Sequence, residues 1–199
     1  MLGAMSAADL RRPATRLPRR PPGAEELFRA DAPLVTPSGH GPEPGEITVY
    51  TDGACRGNPG PGGWAWAVVD GPFASGAEAR TTNQRMEVTA VLRALGELPG
   101  PVLVVSDSSY VVNCFRDRWW QGWQRRGWRN ASGQPVANRD LWEPLLALAL
   151  APGRTVRFSW VKGHGGDPMN ERVDRLATEA ADRQEGTAGR RWPGGPPAS

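Results

Sequence analysis

Apolar and polar positions alternate along Ile47–Thr51, the period of a strand with one buried face. A Gly/Pro-rich turn follows. Trp64–Asp70 reads as a second strand, and Phe73–Thr81 as a third, joined to it through Gly71. From there the period lengthens. Thr82 or Asn83 reads as a helix cap, Met86, Val91, Leu92 and Leu95 share one face, and Pro99-Gly100 ends the helix at about Leu98. Val102–Ser106 is a continuous apolar run, suited to a strand buried on both faces. A helical stretch over Ser108–Phe115 comes next, then a strongly apolar helix over Arg139–Leu150 and a strand over Thr155–Trp160. Asp167 caps a last helix, with Pro168 at its first position, running to about Arg183. This order predicts an α/β fold: a five-stranded mixed sheet, three antiparallel strands plus two parallel, flanked by helices.

Composition sets the boundaries. The 199 residues fit one domain, and a hydrophobic share of 39% can build its core. Glycine (25) and proline (20) are plentiful and unevenly placed. Residues 1–45 are Pro/Arg-rich without sustained periodicity and read as a disordered tail. The folded domain spans 46–183, and 184–199 is a second tail. Residues 11–20 hold five arginines and no acid, which suits an inert linker, a basic arm for nucleic acid, or a transit peptide. The acids at Glu25 and Glu26 count against the last. No apolar run is long enough to span a membrane, so no membrane partner is expected. Two isolated cysteines, Cys55 and Cys114, make neither a disulfide framework nor a zinc pattern and point to a reducing, cytoplasmic setting. The net charge is only +3, but Lys162 is the single lysine, so the basic surface is guanidinium, which suits phosphate and base stacking.

Four acids stand out by position. Asp52 ends the first strand and Asp107 the fourth, while Glu87 and Asp174 fall in the early turns of the first and last helices. Singly, each is an ordinary turn or helix-dipole residue. As neighbouring strands lie about 5 Å apart, the set would crowd like charges. Divalent cations resolve that crowding. All-oxygen ligands suit Mg²⁺, with Mn²⁺ as a substitute, and two such ions about 4 Å apart form the usual clamp for displacement at phosphorus. His164 sits in a glycine-flanked loop, "WVKGHGGDPMNERVD", a setting for proton transfer or product release.

Five segments in order, "YTDGACRGNPGPGGWAWAV", "TTNQRMEVTAVLRAL", "VVSDSSYVV", "WWQGWQRRGWR" and "WVKGHGGDPMNERVDRLA", resemble the signature segments of type 1 ribonuclease H. The resemblance covers 46 to about 183. It implies a ribonuclease H-like fold and endonucleolytic hydrolysis of the RNA strand of an RNA–DNA hybrid. Two Mg²⁺ ions would serve the reaction, which leaves a 5′-phosphate and a 3′-hydroxyl. It makes Asp52, Glu87, Asp107 and Asp174 the metal ligands and His164 the histidine that assists turnover. Cys55, Asn58, Asn83 and Gln84 would line the minor groove, and Arg80, Thr82 and Asn138 would hold a DNA-strand phosphate. Residues 116–129 resemble the family's basic protrusion, with Trp119 and Trp123 on one helical face and Arg125 and Arg126 toward phosphate. Gly57, Gly60, Gly62 and Gly63 would let the turn lie close to nucleic acid. Family members of this size are usually monomeric.

Two departures stand beside the resemblance. Ser109 occupies a position where the family often has glutamine, and the segment from Asp107 to Trp119 is about one residue longer than usual. A DNA-cleaving integrase or resolvase would share the carboxylates, but not the "GNPGPGG" turn and "WVKGH" loop. A binding module that had lost catalysis would lack an acid, and none is missing.

Overall fold

The run that predicts the first strand forms β1 (Ile47–Cys55), which lies inside the sheet of this computed structural model. The structure describes residues 41–191, so residues 1–40 of the expected tail over 1–45, and 192–199 of the one over 184–199, lie outside the described residues. β1 pairs antiparallel with β2 (Gly60–Val68), and β2 with β3 (Phe73–Thr81). On its other side β1 pairs in parallel with β4 (Val102–Ser106), and β4 with β5 (Val156–Trp160). The helices are α1 (Asn83–Glu97), α2 (Ser109–Arg116), α3 (Trp119–Arg125), α4 (Arg139–Ala149) and α5 (Pro168–Arg183). The Thr82 hydroxyl accepts from Arg85 N, and Asp167 accepts from Met169 N and Asn170 N, so both caps are real.

The sheet has six strands rather than five. β6 (Ala188–Gly189) pairs with Phe73 and Ala74, inside the segment expected to be tail. Two residues offer no periodicity to read. The join is made by backbone groups on the otherwise open edge of β3, including Ser75 N to Thr187 O at 2.7 Å.

β2 also starts four residues earlier than expected, because the glycine-rich turn is itself strand. A Cβ on Gly62 would lie 2.3 Å from Thr81 Cγ2, and one on Gly63 would lie 2.2 Å from the Ala177 carbonyl. These two glycines therefore let the protein's own elements close in. The expectation that they admit nucleic acid is corrected to that extent.

Alternation along β2 divides the core. Trp64, Trp66 and Val68 face α1–α4, joined there by Val49, Val104, Phe158 and Trp142. Ala65 and Ala67 face α5, against Val173, Leu176 and Ala177. Helices thus cover both faces and fix where the strand ends emerge. No helix among the described residues is long and apolar enough to cross a membrane.

Candidate functional site

The parallel ladder of β1 and β4 pairs Tyr50 with Val105, so Asp52 and Asp107, each two residues on, stand side by side. Asp107 follows the end of β4, but Asp52 does not end the first strand as expected, because β1 runs on to Cys55 through its antiparallel pairing with β2. Gly53 follows Asp52, and a Cβ there would lie 2.3 Å from Glu87 N. Only glycine lets the first turns of α1 approach β1 this closely, which sets Glu87 beside Asp52. α5 lies against the other face of β1 and brings Asp174 to the same place. The four acids and His164 line one cleft of about 410 Å³, together with Cys55 and Asn83. His164 is exposed, with a positive φ of 51°.

Neutral donors orient these acids. Gly53 N donates to Asp52 Oδ1 at 2.7 Å. Asn83 Nδ2 donates to Glu87 Oε1 at 2.9 Å, and the Ser108 hydroxyl donates to Glu87 Oε2 at 2.6 Å. Asn170 Nδ2 donates to Asp107 Oδ2 at 3.1 Å. Arg56 pairs with Asp182 and Arg85 with Glu78 and Asp140, while Arg157, toward the opposite end of the sheet, pairs with Glu46 and Glu43.

The result is a strongly negative cleft. Burial, then the charge of Asp107, pushes the Asp52 carboxyl up to about 8, with smaller pushes from Asp174 and Glu87 and an opposing pull from the Gly53 hydrogen bond. Burial also raises Glu87, against the pull of its Ser108 hydrogen bond. Asp52 is only 9% exposed, so water relieves little of this.

Such a donor set fits hard divalent cations. Among the described residues no three His, Cys, Asp or Glu side chains are close enough to enclose an ion as they stand. Mg²⁺ asks less than that, since it keeps several waters and takes one or two carboxylates at a time. The electrostatic coupling around Asp52 is the better guide to what the cleft can hold.

The expected substrate contacts fall in several places. Cys55 lies half-buried on the cleft wall, its Sγ 2.8 Å from the Gly57 carbonyl. Asn58 is exposed and its Oδ1 accepts from Asn83 N at 3.3 Å, while Gln84 beside it is exposed. Arg80 is exposed near the end of β3, and Thr82 caps α1. Asn138 stands just before α4 in a left-handed conformation, φ 58°, with no side-chain hydrogen bond capping the helix. Arg85 bridges to Asp140 at 2.7 Å, tying the first turn of α4 to that of α1. Arg125 and Arg126 are exposed, with Arg126 Nε donating to the Arg129 carbonyl. Trp119 and Trp123 do share a face, 6.4 Å between ring centroids. Trp123, however, is 7% exposed and packs edge-on against Trp142, so Trp119 offers the more open ring.

Sequence reasoning missed Ser108, Asn170 and Glu171. Asn170 is 2% exposed, lines the cleft and precedes Asp174 by four residues, a spacing that puts both on one helix face. Glu171 lines the cleft from the same turn. Ser108 adjoins Asp107, but its contact with Glu87 comes from a helix 21 residues away and leaves no local signal.

The sequence model of the RNase H family matches residues 44–182. Ribonuclease H of Paracidovorax citrulli is 48% identical over 148 residues, covering 72% of this chain and 99% of that protein. Ribonuclease H of Thermus thermophilus is 52% identical over 146 residues, covering 71% and 87%. Among solved structures, the crystal structure of LC9-RNase H1, a type 1 RNase H with the type 2 active-site motif, superimposes with a TM-score of 0.62. It is 30% identical, over 72% of this chain and 76% of that one.

Proposed function

This chain belongs to the ribonuclease H family, and from that premise we propose that it cleaves the RNA strand of RNA–DNA hybrids endonucleolytically, leaving 5′-phosphate and 3′-hydroxyl ends. The observation that carries the mechanism is the convergence of Asp52, Glu87, Asp107 and Asp174 on one cleft with His164 at its rim. These four acids would hold two Mg²⁺ ions, with Mn²⁺ able to replace them. When bound, the ions would supply activation of the attacking water and stabilisation of charge on the leaving 3′-oxygen. Asp52, buried beside Asp107, has the most to gain from a cation and is the natural shared ligand. His164, exposed and flanked by glycines, can carry a proton between the cleft and solvent.

Around this centre, Cys55, Asn58, Asn83 and Gln84 would read the minor groove, and Arg80, Thr82 and Asn138 would hold a phosphate of the DNA strand. Hybrid selectivity then rests on 2′-hydroxyl contacts to one strand only. Trp119, Arg125 and Arg126 would extend the grip along the backbone, with Trp123 supporting Trp119 from below. The chain would act as a monomer in the cytoplasm, a setting that the free Cys55 and Cys114 suit.

The test uses end-labelled RNA–DNA hybrid, DNA duplex and RNA duplex with Mg²⁺. Cleavage of the hybrid's RNA strand alone is expected. Hybrid left intact in both Mg²⁺ and Mn²⁺ would overturn the proposal.

A further inference from the structure

Ser108 is 4% exposed and holds four hydrogen bonds at the junction of β4 and α2, one of them its carbonyl accepting from Val112 N at 3.0 Å within the helix. Its backbone N–H donates to Ser106 Oγ at 3.2 Å. Its hydroxyl oxygen accepts from Val111 N at 3.3 Å, capping α2. Its hydroxyl proton goes to Glu87 Oε2 at 2.6 Å. A serine hydroxyl has one proton and two lone pairs. Capping uses only a lone pair, so the proton is not needed by α2 and is committed to the carboxylate. The short distance suits a hydrogen bond to a charged acceptor.

We propose that Ser108 is a positioning residue for Glu87, holding that carboxylate by one oxygen while Asn83 holds the other, so that it is presented to a divalent cation in a fixed orientation; the proposal rests on the metal-dependent function above. Glutamate has three rotatable side-chain bonds, and a ligand that must first be ordered binds more weakly. Orientation by a neutral donor keeps the charge intact for the ion, whereas a lysine or arginine in the same place would compete with it. The arrangement also ties Glu87 on α1 to Asp107, since Asp107 and Ser108 are adjacent in the chain and α2 is capped by the same hydroxyl. Two acids from distant segments are thereby set relative to each other without touching.

The test measures Mg²⁺ affinity by calorimetry in the absence of hybrid, and kcat and KM with hybrid, for the wild-type protein and for Ser108→Ala, Ser108→Gly and Ser108→Thr. Loss of an outer hydrogen-bond partner to a metal ligand typically lowers affinity or turnover about 10–100-fold. We expect that loss for Ala and Gly, with KM for hybrid unchanged within about twofold, and near-complete rescue by Thr, which keeps the hydroxyl. Glycine is a helix cap nearly as good as serine. An effect in Ala absent from Gly would therefore assign Ser108 to capping alone and overturn the proposal. Wild-type affinity and kcat in both Ala and Gly would do the same. A wild-type protein that neither takes up Mg²⁺ nor cleaves hybrid overturns the metal reading, and this inference with it.

Discussion

Replacing Asp52 with asparagine should stabilise the metal-free protein. The folded state pushes the Asp52 carboxyl from an ordinary 3.8 up to about 8, chiefly by burial and then by Asp107. A carboxyl raised on folding is a penalty wherever it is ionised. The penalty is absent below the unfolded value near 4, grows as pH rises through the interval, and is complete above 8. A gap of about four pH units corresponds to roughly 6 kcal/mol at 1.36 per unit, which is the ceiling. Entry of water into the open cleft and small movements of Glu87 and Asp174 relieve most of it, because real protein interiors respond with an effective dielectric of about 20. A gain of about 2 kcal/mol at pH 9 remains, or roughly 4–8 °C in Tm for a domain of this size. The assay is thermal unfolding by circular dichroism in EDTA, from pH 3 to pH 9. The gain should be near zero at pH 3, below the unfolded value, and at its full size by pH 9. Added Mg²⁺ should close the gap by stabilising the wild type, by about 2.7 kcal/mol at one hundred times its Kd. A substitution that lowers Tm at pH 9, or a gain equal at both ends of the range, refutes the electrostatic account of the cleft.

Two further outcomes follow from the same geometry. Replacing Arg125 and Arg126 together with alanine should weaken hybrid binding uniformly across sequences and reduce the salt slope by about 2, read from binding isotherms at several salt concentrations; an unchanged slope would make α3 a purely structural element. Gly53→Ala would set a methyl 2.3 Å from Glu87 N, so α1 must move away from β1. Hydrolysis of hybrid should fall by about 100-fold or more, as misplacement of about 1 Å can do, while a fold that stays intact by circular dichroism and cleaves normally would show that Glu87 does not need this approach.

Local chemistry made most of the framework legible. β3 and β4 are bounded by punctuation that can be read directly: Gly71 before Phe73, Thr82 after Thr81, Pro101 before Val102, Asp107 after Ser106. Asp107, just past β4, and Glu87 and Asp174, in the early turns of α1 and α5, were legible for the same reason; Asp52 was legible as the first acid after an apolar run, although β1 continues past it to Cys55. β6 was not, because its pairing is made by backbone groups that any residue carries. The burial of Gly62 and Gly63 was not, because a glycine that meets its own fold looks in sequence like one that meets a ligand. Trp123 was half legible: spacing gives its face on α3, but only Trp142 from α4 decides that the face is inward.

What sequence cannot supply is the reason the acids tolerate one another, and that reason is spatial. Two arginines near the cleft pair with acids outside it: Arg56 with Asp182 at the far end of α5, and Arg85 with Asp140. Gly53, Asn83, Ser108 and Asn170 hold the carboxylates with neutral N–H and O–H groups instead. Each such bond favours one orientation of its acid and leaves the net charge of the cleft unchanged. An arginine at any of these positions would lower the electrostatic penalty on Asp52 and, by the same charge, weaken the pull on a divalent ion. The two effects share one origin. A metal-free fold less stable than its asparagine variant is therefore what the proposed cation site should show.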